Sequence, residues 1–241
     1  MSLYQMVDIH THMIPGVDDG SFYLEMSKTM LMMAYIQGVH TVFVTPHSQA
    51  FVSDESLVLE NYQKLLELVK SFPFEQKVLL GCEVRCELRN IQETLKYLKT
   101  GKFPSMNGTN YVLTEFSTSV LAKDVMEMIS LLQKNGWIPI IAHVERYPAL
   151  FQGDTIESII NSGCLLQINA YSLEDESDEY RVERARKLVL EEKVTFLGSD
   201  AHRLNQRPPS VEQGLRYLYE HCRKEYADAV AFGNVEKYLK K

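Results

Sequence analysis

The segment VDIHTHMIPGVDDGSFYLEMSKTMLMMAYIQGVHTVFVTPH, from Val7 to His47, contains two short apolar runs separated by a helical pattern. The runs, Tyr4 to Ile9 and Thr41 to Thr45, are rich in β-branched and aromatic residues and read as strands. Between them, Glu25 to Gln37 repeats apolar residues at Met26, Met30, Met33 and Ile36, which is helical spacing, and Gly38 is placed to close the helix. Both strands run into polar residues that a core strand does not need. His10 and His12, then Asp18 and Asp19, follow the first, and His47 follows the second. Each such group, once buried, must find partners or cost free energy.

The same unit repeats along the chain. Further strands are expected at Val78 to Gly81, Tyr111 to Thr114, Ile138 to Ala142, Leu165 to Ile168 and Thr195 to Gly198. Helices are expected at Leu57 to Ser71, Ile91 to Lys99, Asp124 to Asn135, Thr155 to Asn161, Tyr180 to Glu192 and Val211 to Tyr226. Alternation from end to end calls for an α/β fold with a parallel sheet and right-handed crossovers, either a closed barrel or an open doubly wound sheet. The 241 residues show no linker, repeat or composition shift, so a single domain, 1–241, is expected. The acidic run SLEDESDEY, Ser172 to Tyr180, reads as a solvated loop.

Composition narrows the function. A formal charge of -7 gives no reason to expect nucleic acid or an anionic membrane as partner. No basic segment followed by a long apolar run opens the chain, and no later run approaches the roughly 18 apolar residues of a membrane span, so a cytoplasmic protein is expected. Cys82, Cys86, Cys164 and Cys222 are too scattered for a disulfide framework and read as buried thiols.

Ligand-type side chains follow nearly every strand. His10, His12, Asp18 and Asp19 come after the first and His47 after the second; Glu83 follows the third, Glu115 the fourth, His143 and Arg146 the fifth, Asn169 the sixth, Asp200 and His202 the seventh. Any one of them alone is better read as a cap or surface group. Together they lie on one rim, because a parallel sheet sets the carboxyl ends of all its strands on one side. Imidazole and carboxylate in such number exceed the needs of one tetrahedral ion and point to a site for two or three divalent metals. If the first strand runs through Thr11, His10 and His12 point to the same side and share an ion. Four carboxylates (Asp19, Glu83, Glu115, Asp200) against three divalent cations leave an excess of two positive charges, and with Arg146 and Arg207 nearby this suits a dianion such as phosphate. His40 and His221 lie outside the pattern.

The ordered motifs DIHTHMIPGVDDG, TPH, GCE, LTEF, IAHVERY, QINA and SDAHRLNQRPP extend over nearly the whole chain. Together they resemble the polymerase and histidinol phosphatase (PHP) superfamily, and within it the manganese-dependent protein tyrosine phosphatases encoded with capsular and exopolysaccharide genes in Gram-positive bacteria. The resemblance implies a distorted β/α barrel with about seven parallel strands. It implies one metal held by His10, His12, Glu83 and Asp200, a second by Glu83, Glu115 and His143, and a third by Asp19, His47 and His202. It further implies that Arg146 and Arg207 hold the phosphoryl group, that the ions are Mn2+ with iron, magnesium or zinc as alternatives, and that a metal-activated hydroxide hydrolyses phosphotyrosine. The implied partner is a bacterial tyrosine autokinase that controls capsule or exopolysaccharide synthesis.

Asp18 and Asp8 are left to support or capping. Thiol chemistry is disfavoured, because the residues six positions after the cysteines are Leu88, Gln92, Ala170 and Asp228, none of them the arginine a cysteine phosphatase loop needs. The rival readings are a PHP phosphoesterase acting on a small metabolite such as histidinol phosphate, and a metal-stabilised module without catalysis.

Overall fold

The structure, a computed structural model, describes residues 5–174 and 178–240. Tyr4 and the centre of the acidic run, residues 175–177, fall outside the described residues.

All seven expected strands form, with ends moved by a residue or two. They are β1 (Met6–Thr11), β2 (Val39–Val44), β3 (Lys77–Leu80), β5 (Tyr111–Glu115), β6 (Ile138–Ile141), β7 (Leu165–Asn169) and β8 (Phe196–Gly198). The short β4 (Glu83–Arg85) was not foreseen. Every pairing is parallel, in two sheets of order β1-β2-β3 and β4-β5-β6-β7-β8. The sheets touch through the segments that follow β1 and β8 and through those that follow β2 and open β4. His12 N–H donates to Ala201 O (2.8 Å) and Asp200 N–H to His10 O (2.8 Å), while Glu83 N–H donates to Pro46 O (3.1 Å). Pro139 lies within β6, where a missing N–H would break a ladder. The pairing of β6 with β7 begins only at Ile140, so on that side the proline precedes the first rung.

The helices are α1 (Leu24–Ile36), α2 (Ser48–Lys70), α3 (Ile91–Thr100), α4 (Ala122–Lys134), α5 (Thr155–Asn161), α6 (Glu179–Leu190), α7 (Glu212–His221), α8 (Lys224–Asp228) and α9 (Asn234–Tyr238). Three depart from expectation. α2 begins directly after His47 and is broken at Asp54, whose extended backbone (φ -158°) lets its carboxylate accept Leu57 N–H at 3.0 Å. The expected start at Leu57 is therefore the start of its second half. The helix expected over Val211 to Tyr226 is split between α7 and α8, with Cys222 extended (φ -122°, ψ 162°). On α1 the buried stripe is Ser27, Met30, Leu31 and Ala34, whereas Ile36 is 69% exposed. Ser27 can be buried because its hydroxyl meets that of Ser21 at 2.9 Å.

The apolar interior has two parts. The larger joins helices to the strands. The smaller takes one residue from each of five strands (Ile9, Phe43, Leu113, Ile140 and Phe196) and adds Val235 and Leu239 from the C-terminal segment. This packing anchors the strands whose carboxyl ends carry the polar residues.

Candidate metal centre

His10, His12, Glu83, His143, Asp200 and His202 are all buried and converge at or just past the carboxyl ends of β1, β3, β6 and β8, Glu83 also opening β4. The pairing of β1 with β2 slips between Asp8 and Thr11, an irregularity of the kind that re-aims side chains. His10 and His12 end with their Nε2 atoms 3.3 Å apart. Behind them, His10 Nδ1 lies 3.1 Å from Gln167 Oε1 and His12 Nδ1 lies 2.8 Å from Asp18 Oδ2. Both partners are acceptors, so each ring donates outward and turns Nε2 inward, the orientation that metal-binding histidines usually have. Asp8 Oδ1 accepts the N–H groups of His10 (3.2 Å) and Ser199 (2.9 Å), tying β1 to the end of β8. Asp18 and Asp8 thus support the histidines from behind.

Glu83 is shared among four imidazoles. Its Oε1 lies 2.9 Å from His143 Nε2 and 3.3 Å from His10 Nε2, and its Oε2 lies 2.9 Å from His47 Nδ1 and 3.3 Å from His12 Nε2. Asp200 Oδ1 lies 3.5 to 3.6 Å from nitrogens of His10, His12 and His202. Its Oδ2 accepts from Arg146 Nη2 (2.8 Å), Arg207 Nη1 (3.0 Å) and Asn169 Nδ2 (3.1 Å). His143, Asp200 and Arg207 all have positive φ (33°, 53° and 55°), a strained backbone that costs roughly 1–3 kcal/mol per residue and concentrates at functional sites.

The outer part of the cluster is formed by Asp19, His47 and Glu115. Asp19 Oδ1 is 3.3 Å from His47 Nε2 and 3.4 Å from His202 Nε2, and Glu115 Oε1 is 3.5 Å from His47 Nδ1. The loop bearing Asp19 turns at Gly16 (φ 70°) and passes so close to His12 that a Cβ on Gly20 would lie 2.1 Å from His12 O. Gly20 is therefore required by space, and Gly16 by its turn. Arg203 clamps this loop from the far side: Nε donates to Asp19 O (2.9 Å) and the guanidinium stacks 4.1 Å from the centre of the Phe22 ring. Gly20→Ala is expected to displace Asp18 and Asp19 together and weaken the binding of a divalent metal by about 10–100-fold, as measured by isothermal titration. Wild-type affinity in that variant would refute the assignment.

The donor set suits cations. Burial opposes charge on His10 and His12, yet Glu83 and Asp200 raise His10, and Asp18 with the same carboxylates raises His12 well above 6.5. His47, despite burial, is pushed up to about 10 by Glu115 and Glu83. Glu83 and Asp200 stay well below their ordinary values, because the surrounding imidazoles outweigh burial. Protons thus gather where the carboxylates call for positive charge. His202 differs: burial and His12 lower it to about 3. It is neutral, donates from Nδ1 to Asp200 O (2.8 Å) and leaves Nε2 buried without a hydrogen bond. Glu83 Oε2 is likewise buried with no aligned donor. Free lone pairs among carboxylates fit divalent ions.

Ligand atoms close enough to share an ion fall into three groups: His12, Asp19, His47 and His202; His10, His12 and Glu83; and His47, Glu83 and Glu115. The groups overlap, since His12, His47 and Glu83 each stand in two of them, whereas Asp200 and His143 stand in none and His143 meets Glu83 without joining Glu115. Three residues of the neighbourhood were not singled out from sequence. Gln167 Oε1 also accepts His143 N–H (2.9 Å), Tyr147 OH lies 3.1 Å from His143 Nδ1, and Tyr171 OH accepts from Arg146 Nη2. The cysteines take no part; burial pushes Cys86 up to about 12 and Cys164 up to about 11, so both are thiols at neutral pH. His40 and His221 are exposed and remote.

Parallel α/β layers thus carry a rim of histidines and carboxylates. A zinc-bound amidohydrolase from Burkhoderia ambifaria aligns with TM-score 0.55 over 98% of this chain and 86% of its own, at 6% identity, a likeness of fold alone. The chain belongs to the family of capsular polysaccharide synthesis proteins CpsB/CapC, whose pattern matches residues 6–240. It is 32% identical to tyrosine-protein phosphatase CpsB of Streptococcus agalactiae serotype V over 98% of both chains. It is 28% identical to tyrosine-protein phosphatase YwqE of Bacillus subtilis over 88% of this chain and 84% of the other. A crystal structure from work on YwqE of Bacillus subtilis and CpsB of Streptococcus pneumoniae, unique metal-dependent tyrosine phosphatases, superposes with TM-score 0.86 at 27% identity, covering 97% of this chain and 94% of that one.

Proposed function

We propose that this chain is a metal-dependent protein tyrosine phosphatase, a hydrolase of phosphoric monoesters. The observation that carries this reading is Glu83, one buried carboxylate held among four imidazoles, beside an Asp200 on which two arginines converge. We assign His10, His12, Glu83 and Asp200 to one ion, Glu83, Glu115 and His143 to a second, and Asp19, His47 and His202 to a third, with His12 next to the third as well as the first. Divalent ions, when bound, supply Lewis acidity and lower the pKa of water toward neutrality.

The chain's own residues do the rest. Arg146 and Arg207, both already directed at the inner cluster through Asp200 Oδ2, provide paired N–H donors for phosphoryl oxygens. Tyr171 and Asn169 fix that corner, since Tyr171 OH meets Arg146 and Asn169 Nδ2 donates to both Tyr171 OH (3.2 Å) and Asp200. Gln167 holds His10 and His143 in register. A phenol of pKa about 10 leaves more readily than an alkyl alcohol, which reduces the need for a general acid.

The finer parts of the reading follow the family. We take the two sheets as the wall of one distorted barrel of about seven parallel strands, supported by their bridges Thr11 to Ala201 and His47 to Glu83, and the chain as a single domain. We take manganese as the working metal and a tyrosine-phosphorylated bacterial autokinase of capsule or exopolysaccharide synthesis as substrate, in a cytoplasmic setting. No helix among the described residues is long and apolar enough to cross a membrane. The deciding experiment compares a phosphotyrosine peptide, histidinol phosphate and a phosphodiester on manganese-loaded protein. The peptide is expected to lead in kcat/KM by about 10²-fold or more. Faster turnover of histidinol phosphate would replace this reading with the small-metabolite one.

A further inference from the structure

A cavity of about 660 Å³ opens beside the outer ligands, its wall shared by Asp19, His47 and Glu115 at one end and by Arg85, Arg89 and Tyr97 beyond. Among the described residues Arg85 and Arg89 are the arginines lining it, together with the His47 imidazole and the carboxylates Asp18, Asp19, Glu87, Glu93 and Glu115. The two arginines are unequally committed. Arg89 grips Glu87 Oε2 through Nε (2.7 Å) and Nη2 (2.6 Å) and is 82% exposed. Arg85 pairs with the same carboxylate only loosely, its Nε lying 3.6 Å from Glu87 Oε1. Glu93, the other acid away from the ligand cluster, accepts from Tyr97 OH at 2.7 Å.

Arg85 sits on β4 two residues after Glu83, on the same side of the strand by the period-two rule. It is aligned opposite Glu115 on β5. Its backbone N–H is fixed by Ser48 Oγ (3.1 Å) and its Nη1 by Phe116 O (3.2 Å). The contact of Nη1 with Glu115 Oε2 is long, 3.5 Å, and Glu115 also faces His47. Among the described residues Nη2 makes no hydrogen bond. A guanidinium whose two carboxylate contacts are both long, 3.5 and 3.6 Å, and which keeps an unused donor is thus held in position at the cavity wall beside the reaction centre. The other polar groups around it, Ser48, Gln49, Ser53, Asn90 and Thr94, are neutral.

We propose that Arg85 is a specificity residue that reads an acidic side chain adjoining the phosphotyrosine, so that the cavity is the subsite for the flanking peptide. This rests on the phosphatase reading of the same centre. A planar guanidinium pairs with a carboxylate through two parallel hydrogen bonds, which neutral glutamine cannot match.

The test uses the full manganese-loaded chain and three phosphotyrosine peptides that differ only in whether the flanking residues are glutamates, glutamines or lysines. Wild type is expected to favour the glutamate peptide in kcat/KM, mainly through KM. Arg85→Ala should reduce that preference about 10-fold, Arg85→Lys should keep part of it, and Arg85→Glu should reverse it toward a lysine-flanked peptide. An acidic-to-neutral ratio unchanged across these variants, or lost without any shift in KM, overturns the assignment while hydrolysis by wild type upholds the phosphatase. Absence of phosphotyrosine hydrolysis by wild type would bring down both.

Discussion

Glu83→Gln is expected to lower phosphotyrosine turnover by at least about 10³-fold and to lose bound metal, although the substitution changes shape hardly at all. The reason is the sharing of one charge. Both oxygens of Glu83 lie within 3.3 Å of imidazole nitrogens, two on each side. The amide puts an N–H group where a lone pair is needed, and half of the shared ligand disappears. Four histidines, three of them buried, would then face a neutral group. Turnover at saturating manganese together with elemental analysis of the purified variant checks the expectation. Near-normal values of both would mean that the centre described above is not the metal centre.

Metal removal is expected to have the second large effect, on stability. A ligand at about 100 times its dissociation constant stabilises the native state by about 2.7 kcal/mol. For a domain of this size each kcal/mol shifts the melting midpoint by about 2–4 °C. Chelated protein should therefore melt about 5–10 °C below manganese-loaded protein. The gap should also depend on pH. His47 has a folded-state pKa raised to about 10 in the metal-free protein. Its protonation stabilises that form fully below the ordinary value near 6.5, and the contribution fades as pH rises through this window. Metal binding needs deprotonated rings and strengthens over the same range. The difference in midpoint is accordingly expected to widen from about pH 6 to about pH 8. A gap that narrows, or no gap at all, would contradict the proton-for-metal exchange.

Much of this centre can be read from residue types alone. Histidine and carboxylate after strand upon strand have few other uses, and the rim of a parallel sheet gathers them whatever the loops do. The parts that were hidden have specific physical causes. Gln167, Tyr147 and Tyr171 act as neutral hydrogen-bond partners, and such residues carry no ligand signal. β4 is three residues long, with a charge at each end, so no apolar run marks it. The first half of α2 was missed because Asp54 supplies a genuine cap signal in mid-helix. The face of α1 was misplaced because a hydrogen-bonded serine takes an interior position while Ile36 lies outward. Nor does residue type show how the ligands divide among ions, since that depends on ångström distances around His12 and His47.

The way β1 is held also determines when the centre can exist. Its last residues pair with β2, which follows within a few dozen residues, but also with the segment after β8: Ser199 N–H reaches Asp8 and His12 N–H reaches Ala201. During synthesis the first histidines leave the ribosome long before the stretch that completes their surroundings. No N-terminal portion ending before residue 200 contains Asp200 or His202, so a nascent chain can gather only part of the ligand set. Contacts this distant along the chain close late, since loop-closure entropy must be overcome first. The complete set of ligands is in this way available only to chains in which the segments around His10 and Asp200 have already come together.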